Sequence, residues 1–254
     1  ATGLAAVLLL VCACGNGGVP VREPVAKGPE DRAPAEVPAV AVVAPEVAPD
    51  AASVEPGPRV FVLALMPLGE VDEEAVRTAR GSIELTYGWE VRLLEAQGLL
   101  ASAWHEPRKR YRAEKLLSWL RGRKPADADR IMGLTAADIS TTKGRHQDWG
   151  ICGLADLGGD AAVVSTYRIG RKLEKYPNAE RHERYLTRLA DLTAHEFGHQ
   201  LGLPHCPTAG CTMEDAAGTV LTFNRSSGHL CDLCVAELRR LGWPMTAIAT
   251  RLAN

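Results

Sequence analysis

The stretch that decides the fold of this chain reads HEFGHQLGLPH and spans residues 195–205. His195 and His199 are four residues apart, so on a helix their side chains lie one turn apart on the same face and can reach one metal ion. Glu196 follows the first of them and is placed to hold a water molecule at that ion. Gly202 lets the chain leave the helix in a conformation that other residues disfavour, and the turn brings His205 back as a third ligand.

Three protein ligands leave the fourth position of a zinc ion open to water, which is typical of catalytic rather than structural zinc. The first five residues of the pattern alone can arise by chance on a helix. The x-x-G-x-x-H extension adds two fixed positions, and each of them has its own physical role. The spacing therefore predicts a catalytic zinc site at His195, His199 and His205, with Glu196 as general base.

Four cysteines follow this stretch in two close pairs. Cys206 directly follows the third histidine, Cys211 is five residues later, and Cys231 and Cys234 form a C-x-x-C pair. Four thiolates in this arrangement suit a closed, structural zinc site. The alternative is two disulfides, although a C-x-x-C disulfide tends to be strained or redox-active and nothing nearby resembles a thioredoxin. Because His205 and Cys206 are neighbours, the cysteine site would hold the loop that carries the third histidine.

The complete pattern from residue 195 to residue 234 is H-E-x2-H-x2-G-x2-H-C-x4-C-x-M-x17-C-x2-C, and it resembles the signature of the archaemetzincins, a family in the metzincin clan of zinc peptidases. Two further stretches, RVFVLALMPLG at 59–69 and GLADLGG at 153–159, are similar to the family's first strand and to the approach to its edge strand. The resemblance implies a peptidase that binds two Zn²⁺ ions, one catalytic and one structural, and that acts on peptides or proteins. It also implies that Met213 forms a turn beneath the catalytic metal.

The expected fold is α/β (α+β), with a metzincin-like zincin domain, a mixed and mostly parallel sheet, an active-site helix and a small four-cysteine zinc part at the C-terminal end. Apolar runs predict strands at 60–66, 89–94 and 130–134, with amphipathic helices at 72–87 and 108–120 between them. The active-site helix is expected at 180–201, and a closing helix is expected at 231–241. Two more strands are predicted at 151–155 and 161–167. By resemblance we assign the second of these to the edge strand that pairs with substrate, with an ordinary internal strand as the alternative.

Other polar residues carry weaker signals. Asp138 and Asp156 are candidates for hydrogen-bonding partners of the zinc histidines, although aspartates at strand ends are more often turn formers. Four histidines without metal-ligand spacing are expected on the surface or in packing roles, namely His105, His146, His182 and His229.

The 254 residues carry a net charge of -2, which gives no argument for nucleic-acid binding. The basic runs at 108–110 and 121–124 are expected to be solvated faces. The length is sufficient for one domain with tails, and we expect a monomer.

The N-terminal part differs in character. Residues 4–11 form an apolar run that is too short to span a bilayer and fits the core of a secretory signal. The sequence VCACG at 11–15 resembles a bacterial lipobox with Cys14 as the lipidated residue, while an ordinary signal peptide is the alternative. The domains are therefore expected to be a signal segment at 1–14, a disordered Ala/Pro-rich tether at 15–58 and the peptidase-like domain at 59–254.

These features predict an exported protein, a lipoprotein of the bacterial cell envelope, with a secreted or cytoplasmic location as alternatives. The cysteine site stands against export, since thiolate zinc sites are commoner in reducing compartments. The expected function is zinc-dependent peptide hydrolysis. The alternatives are a catalytically silent, zinc-stabilised peptide-binding module of the envelope and a tethered protein that only scaffolds partners.

Overall fold

The structure is a computed structural model, and it describes residues 7–8, 59–215 and 222–244. The strands are β1 (Val7–Leu8), β2 (Val62–Leu68), β3 (Glu90–Leu93), β4 (Trp104–His105), β5 (Arg110–Arg112), β6 (Arg130–Thr135), β7 (Ile139–Lys143), β8 (His146–Ile151), β9 (Gly153–Asp156) and β10 (Ala161–Ser165). The helices are α1 (Glu73–Tyr87), α2 (Ala113–Arg121), α3 (Asn178–Gln200) and α4 (Asp232–Arg240). Cys14 and the expected tether lie outside the described residues, and so do residues 216–221 and 245–254 of the predicted domain.

The main sheet is mixed and mostly parallel. Its strand order is β1-β9-β10-β6-β2-β3. The strands β10, β6, β2 and β3 run parallel to one another, while β9 is antiparallel to β10 and β1 is antiparallel to β9. A smaller sheet contains four strands in the order β4-β5-β7-β8. The expected α/β (α+β) fold, with a mixed sheet and a long helix that carries His195 and His199, is confirmed.

Both faces of the main sheet are covered, which is why its parallel strands are almost continuously apolar. Along β2, Leu63 and Leu65 pack in one core with residues of α1, α3 and α4. Val62 and Ala64 point to the opposite face and pack in a second core with α2. The alternation along a strand therefore places α3, which carries the histidines, on one side of the sheet and α2 on the other.

The first helix begins and ends where the sequence provides caps. The Asp72 side chain accepts hydrogen bonds from the backbone N–H groups of Glu74 and Ala75, at 2.8 and 3.3 Å. At the other end Gly88 takes up the left-handed conformation that closes helices. None of the described helices is both long enough and apolar enough to cross a membrane.

The predicted helix at 108–120 was wrong in its first turn. Helix α2 begins only at Ala113, and Arg110–Arg112 forms strand β5, which pairs with β4 and β7. The guanidinium groups of Arg110 and Arg112 both lie within ion-pair distance of Asp148 on β8, at 3.5 and 3.8 Å. These pairings between distant segments outweigh a helical preference that is local.

The predicted edge strand was also wrong. Ala161–Ser165 forms β10, which lies inside the sheet between β6 and β9, so the alternative of an internal strand holds. All five residues of β10 are buried, as expected for a strand with neighbours on both sides. The strand on the outer side of β10 is β9, which is itself paired at Ala155 and Asp156 with Val7–Leu8.

Candidate metal and active site

Helix α3 brings the first two histidines together. His195 and His199 are buried on its last two turns, and the helix ends at Gln200. Gly202 has φ of +97°, a conformation that side chains other than glycine rarely adopt. The chain reverses there and returns His205, so that one ring nitrogen from each histidine lies within 4.8 Å of the other two.

The backbone fixes which ring nitrogen is available to a metal. Nδ1 of His195 lies 2.7 Å from the Thr212 carbonyl oxygen, and Nδ1 of His199 lies 2.7 Å from that of Leu203. A carbonyl only accepts, so each Nδ1 must carry the proton and donate it. The Nε2 atoms of all three histidines are buried without a hydrogen-bond partner in the described part of the chain. Three neighbouring lone pairs in this state fit a divalent metal ion.

The environment keeps the imidazoles neutral, as a metal ligand requires. Burial lowers the pKa of His195 to about 3 and lowers the pKa of His199 well below its ordinary value. His205 is less buried, and burial lowers its pKa while the carboxylate of Asp215, 3.9 Å from its Nδ1, opposes the change. At neutral pH the rings are therefore uncharged and their Nε2 lone pairs can bind a cation.

Strand β9 packs against Glu196, the carboxylate between the two helical histidines. Glu196 is completely buried, and an added Cβ at Gly153 would lie 2.6 Å from its Cδ. A residue with a Cβ fits at this place only if the Glu196 side chain shifts. The first residue of β9 therefore defines one wall of the space that the Glu196 carboxylate occupies.

Met213 packs against α3 at Gly198, on the side of the helix opposite to Glu196. A Cβ at Gly198 would collide with the sulfur of Met213 and would lie 2.8 Å from the Tyr87 hydroxyl oxygen. That hydroxyl donates a hydrogen bond of 2.7 Å to the Ala194 carbonyl. The helix turn that carries the histidines thus rests on Met213 and Tyr87.

The four cysteines form a second cluster beside the histidines. Their sulfur atoms lie within 4.8 Å of one another, with Cys206 and Cys231 at 3.5 Å and Cys211 and Cys234 at 3.7 Å. These separations exceed the length of a disulfide bond, about 2.05 Å, and all four thiols are free. A hydrogen bond from the Cys234 thiol lowers the pKa of Cys211 to about 5, which favours a thiolate there.

The two clusters share their backbone. The Cys206 N–H donates to the Met213 carbonyl at 2.7 Å, and the Met213 N–H donates to the Cys211 sulfur at 3.4 Å. Thr212, which lies between Cys211 and Met213 in the chain, supplies the carbonyl that accepts a hydrogen bond from His195. One segment, residues 205–213, therefore serves both groups of candidate ligands.

Both aspartates proposed as histidine partners have other roles. Asp138 forms a bidentate ion pair with Arg168, at 2.6 and 2.8 Å. Asp156 forms one with Arg121 of α2, at 2.7 and 2.8 Å. The candidate role as histidine partners is not realised, because the carbonyls of Thr212 and Leu203, which no sequence pattern reveals, lie next to Nδ1 of His195 and His199.

The remaining histidines do not join the cluster. His182 forms a surface contact of 3.0 Å with Glu74, and the ring of His146 stacks near that of Trp149. Neither His105 nor His229 belongs to a group of metal-ligand side chains in the part of the chain that the structure describes.

One residue near the site was missed from the sequence. Asp191 is buried on α3 one turn before His195, and it accepts a hydrogen bond from the Ser226 hydroxyl. Burial raises the pKa of Asp191 to about 7, while the hydrogen bond from Ser226 opposes the increase. The available signal was its spacing, since residues 191, 195 and 199 are separated by four and share a helix face.

Comparison with known proteins places this site in a family. The model of peptidase family M54 matches residues 69–240. The archaemetzincin of Haloarcula marismortui is 30% identical over 171 residues, which cover 67% of this chain and 95% of that protein. The archaemetzincin of Methanopyrus kandleri is 35% identical over 138 residues, which cover 54% of this chain and 71% of that protein.

Solved structures agree. The crystal structure of archaemetzincin from Methanopyrus kandleri superposes with a TM-score of 0.60 at 29% identity, covering 73% of this chain and 98% of that one. The structure from Archaeoglobus fulgidus, a complex with malonate, gives a TM-score of 0.56 at 26% identity, with coverage of 70% and 99%. The chain belongs to peptidase family M54, the archaemetzincins, and is a zinc metallopeptidase.

Proposed function

We propose that this peptidase hydrolyses peptide bonds at a zinc ion held by His195, His199 and His205, with Glu196 as general base. The observation that carries the proposal is the convergence of three buried Nε2 atoms whose rings are fixed by Nδ1–H hydrogen bonds. Three ligands are the number that leaves a zinc ion open to substrate. When bound, zinc would supply Lewis acidity, which polarises the scissile carbonyl and lowers the pKa of water.

Glu196 performs the proton transfers in this proposal. Its carboxylate takes a proton from the attacking water, and it then donates that proton to the nitrogen of the leaving amine. The side chain is fully buried against Gly153, so its orientation is restricted before substrate arrives. Such restriction favours catalysis because the base does not have to reorganise during the reaction.

We propose that Cys206, Cys211, Cys231 and Cys234 hold a second, structural zinc ion. Four sulfur atoms within 4.8 Å of one another suit a closed tetrahedral site. Its role would be to fix residues 205–213, and with them the third histidine, the Thr212 carbonyl and Met213. The proposed cofactor content is therefore two Zn²⁺ ions per chain.

The experiment that tests the function is the substitution Glu196→Gln. Glutamine keeps the size of the side chain but cannot act as a base at neutral pH, so zinc content should stay at the wild-type level and cleavage of a peptide library should fall below detection. The matched control is Glu183→Gln, an exposed position on the same helix, which should cleave like wild type.

Two outcomes would contradict the proposal. Retained cleavage in Glu196→Gln would show that another group is the base. Wild-type protein that binds zinc but shows no chelator-sensitive cleavage of any peptide would favour the silent binding module instead.

We also propose that the chain is exported and lipidated at Cys14. The support is the apolar run at 4–11 followed by the lipobox-like VCACG. Labelling with a fatty-acid analogue in a bacterial host should mark the wild-type chain but not Cys14→Ala, and label in both would refute it. Action as a monomer remains a prediction.

A further inference from the structure

Asp191 is a buried carboxylate that the proposed chemistry does not use. It lies on α3 one turn before His195, and its side chain points to the segment 222–230 rather than to the three Nε2 atoms. A buried carboxylate is costly unless it is hydrogen-bonded. Two side chains act on it, the hydrogen-bonded Ser226 hydroxyl and the neighbouring Thr212 hydroxyl, and they indicate what it does.

The hydrogen bonds that start at Asp191 lead back to α3. The Ser226 hydroxyl donates to Asp191, and the following residue, Ser227, donates its N–H to the Gly210 carbonyl at 2.7 Å. Two residues further on, the His229 carbonyl accepts from the Thr212 N–H at 3.0 Å. The Ser226 hydroxyl also accepts from the Gly228 N–H at 3.2 Å, which closes the turn between these contacts.

The last connection reaches the first histidine. The Thr212 carbonyl accepts the Nδ1–H of His195 at 2.7 Å. The contacts thus form a closed circuit that leaves α3 at Asp191, crosses the turn at 226–229 and the segment 210–212, and returns to α3 one turn later. The His195 ring therefore cannot rotate unless one of the hydrogen bonds in this circuit breaks.

A neighbouring side chain fixes the same segment. Arg188, on the turn before Asp191, donates from Nε to the Asn224 side-chain oxygen at 2.9 Å. Its Nη1 donates to the carbonyls of Ile169 and Arg171, at 2.6 and 2.8 Å. Arg188 therefore fixes the start of the segment 222–230 at Asn224. Asp191 fixes the turn at 226–229, whose His229 carbonyl accepts from Thr212.

We propose that Asp191 is a positioning residue for the metal site, which acts through Ser226, His229 and Thr212 to hold the His195 ring with Nε2 directed at the metal. The inference rests on the proposed role of His195 as a zinc ligand. Partners one bond removed from a metal ligand typically change metal affinity or activity by 10–100-fold when they are lost.

The test uses full-length protein with Asp191→Ala, Ser226→Ala, the double variant and Asp191→Asn. The control is Glu183→Ala, an exposed acid on the same helix. Zinc affinity of the histidine group is measured by competition with a chelator. Cobalt substitution follows the cysteine group separately, because thiolate ligands give charge-transfer absorption and imidazoles do not.

A further readout does not depend on metal in the histidine group. After that group has been stripped, NMR reports the exchange rate of the His195 Nδ1–H with water. We expect each single alanine variant to weaken zinc affinity about 10-fold, the lower end of that range because Asp191 reaches His195 through intervening residues, and to speed this exchange. The double variant should be no worse than Asp191→Ala, because the connection that Ser226→Ala removes is already lost in Asp191→Ala. Asp191→Asn should recover most of the affinity, since its amide oxygen can still accept from Ser226.

Unchanged zinc affinity in Asp191→Ala, or additive losses in the double variant, would overturn the proposal. If Asp191→Ala loses both the cobalt–thiolate absorption and helix content, Asp191 has a merely structural role. Ser226→Ala removes only a partly exposed hydroxyl, so it still tests the hydrogen-bonded circuit in that case. If wild-type protein binds no metal at the histidine group, the proposed function fails, whereas the exchange rates still decide the role of Asp191.

Discussion

Gly198 shows how much depends on one missing side chain. It lies one residue before His199, and Met213 and Tyr87 occupy the space where a Cβ would be. Both contacts are with buried atoms, so neither neighbour can move aside easily.

The substitution Gly198→Ala should therefore destabilise the protein by about 1–3 kcal/mol, the usual cost of overpacking a filled core. Chemical denaturation measures the free energy of unfolding. The control is Gly81→Ala on α1, where nothing lies within 4 Å of an added Cβ. Alanine there should stabilise the helix by roughly 0.5–1 kcal/mol. Equal effects of the two substitutions would contradict the packing role assigned to Gly198.

The single residues of the site were predicted from spacing, because a helix places residues four apart on one face whatever the rest of the fold does. The structure brings the three histidines together and gathers the four cysteines. The candidate role of Asp138 and Asp156 as histidine partners could not be decided from spacing, since their arginine partners are 30 and 35 residues away in the chain.

At the scale of elements, strand β9 and helix α3 determine the position of the Glu196 carboxylate, the proposed general base. An added Cβ at Gly153 would lie 2.6 Å from the Cδ of Glu196, so Gly153→Ala must displace that side chain. We expect a decrease in kcat of about 100-fold, the order of loss caused by a 1 Å misplacement. Metal content should not change, because no ligand is touched.

Steady-state kinetics and metal analysis check this prediction. Gly98→Ala, where a Cβ meets nothing within 4 Å, should leave kcat at the wild-type value. If Gly153→Ala cleaved at the wild-type rate, the wall formed by β9 would not restrict Glu196.

The smaller sheet is fixed by buried charges that no local pattern indicates. Arg168 and Asp138 form a buried bidentate pair, and Arg110 of β5 approaches the same carboxylate at 3.2 Å. Arg168→Ala should lower the free energy of unfolding by roughly 3 kcal/mol, because Asp138 would remain buried without its main partner. Removing the exposed Arg77, whose nearest carboxylate lies at 3.6 Å, should cost less than about 0.5 kcal/mol. Urea denaturation measures both changes in the free energy of unfolding. If the two substitutions cost about the same, the role assigned to Arg168 would be contradicted.

At the scale of the whole molecule, the two ligand groups should behave as one unit. Native mass spectrometry is expected to find two zinc ions per chain. Cys234→Ser should lose the cysteine-bound ion and also weaken the histidine site, because residues 205–213 belong to both. Cys152→Ala, a buried cysteine outside the cluster, should keep both ions. A Cys234→Ser variant whose histidine site binds zinc as tightly as wild type would show that the groups are independent.

The sequence by itself determined the candidate ligands, the helix that carries two of them and the mixed sheet, because those features follow from residue spacing, from the fixed period of the helix and from the order of strands and helices. Only the tertiary structure decided that β10 lies inside the main sheet with β9 on its outer side, and that Arg110–Arg112 is a strand. It also decided that hydrogen bonds connect Asp191 to His195. Each of these depends on residues far apart in the chain, whose pairing is selected by burial and charge across the whole fold.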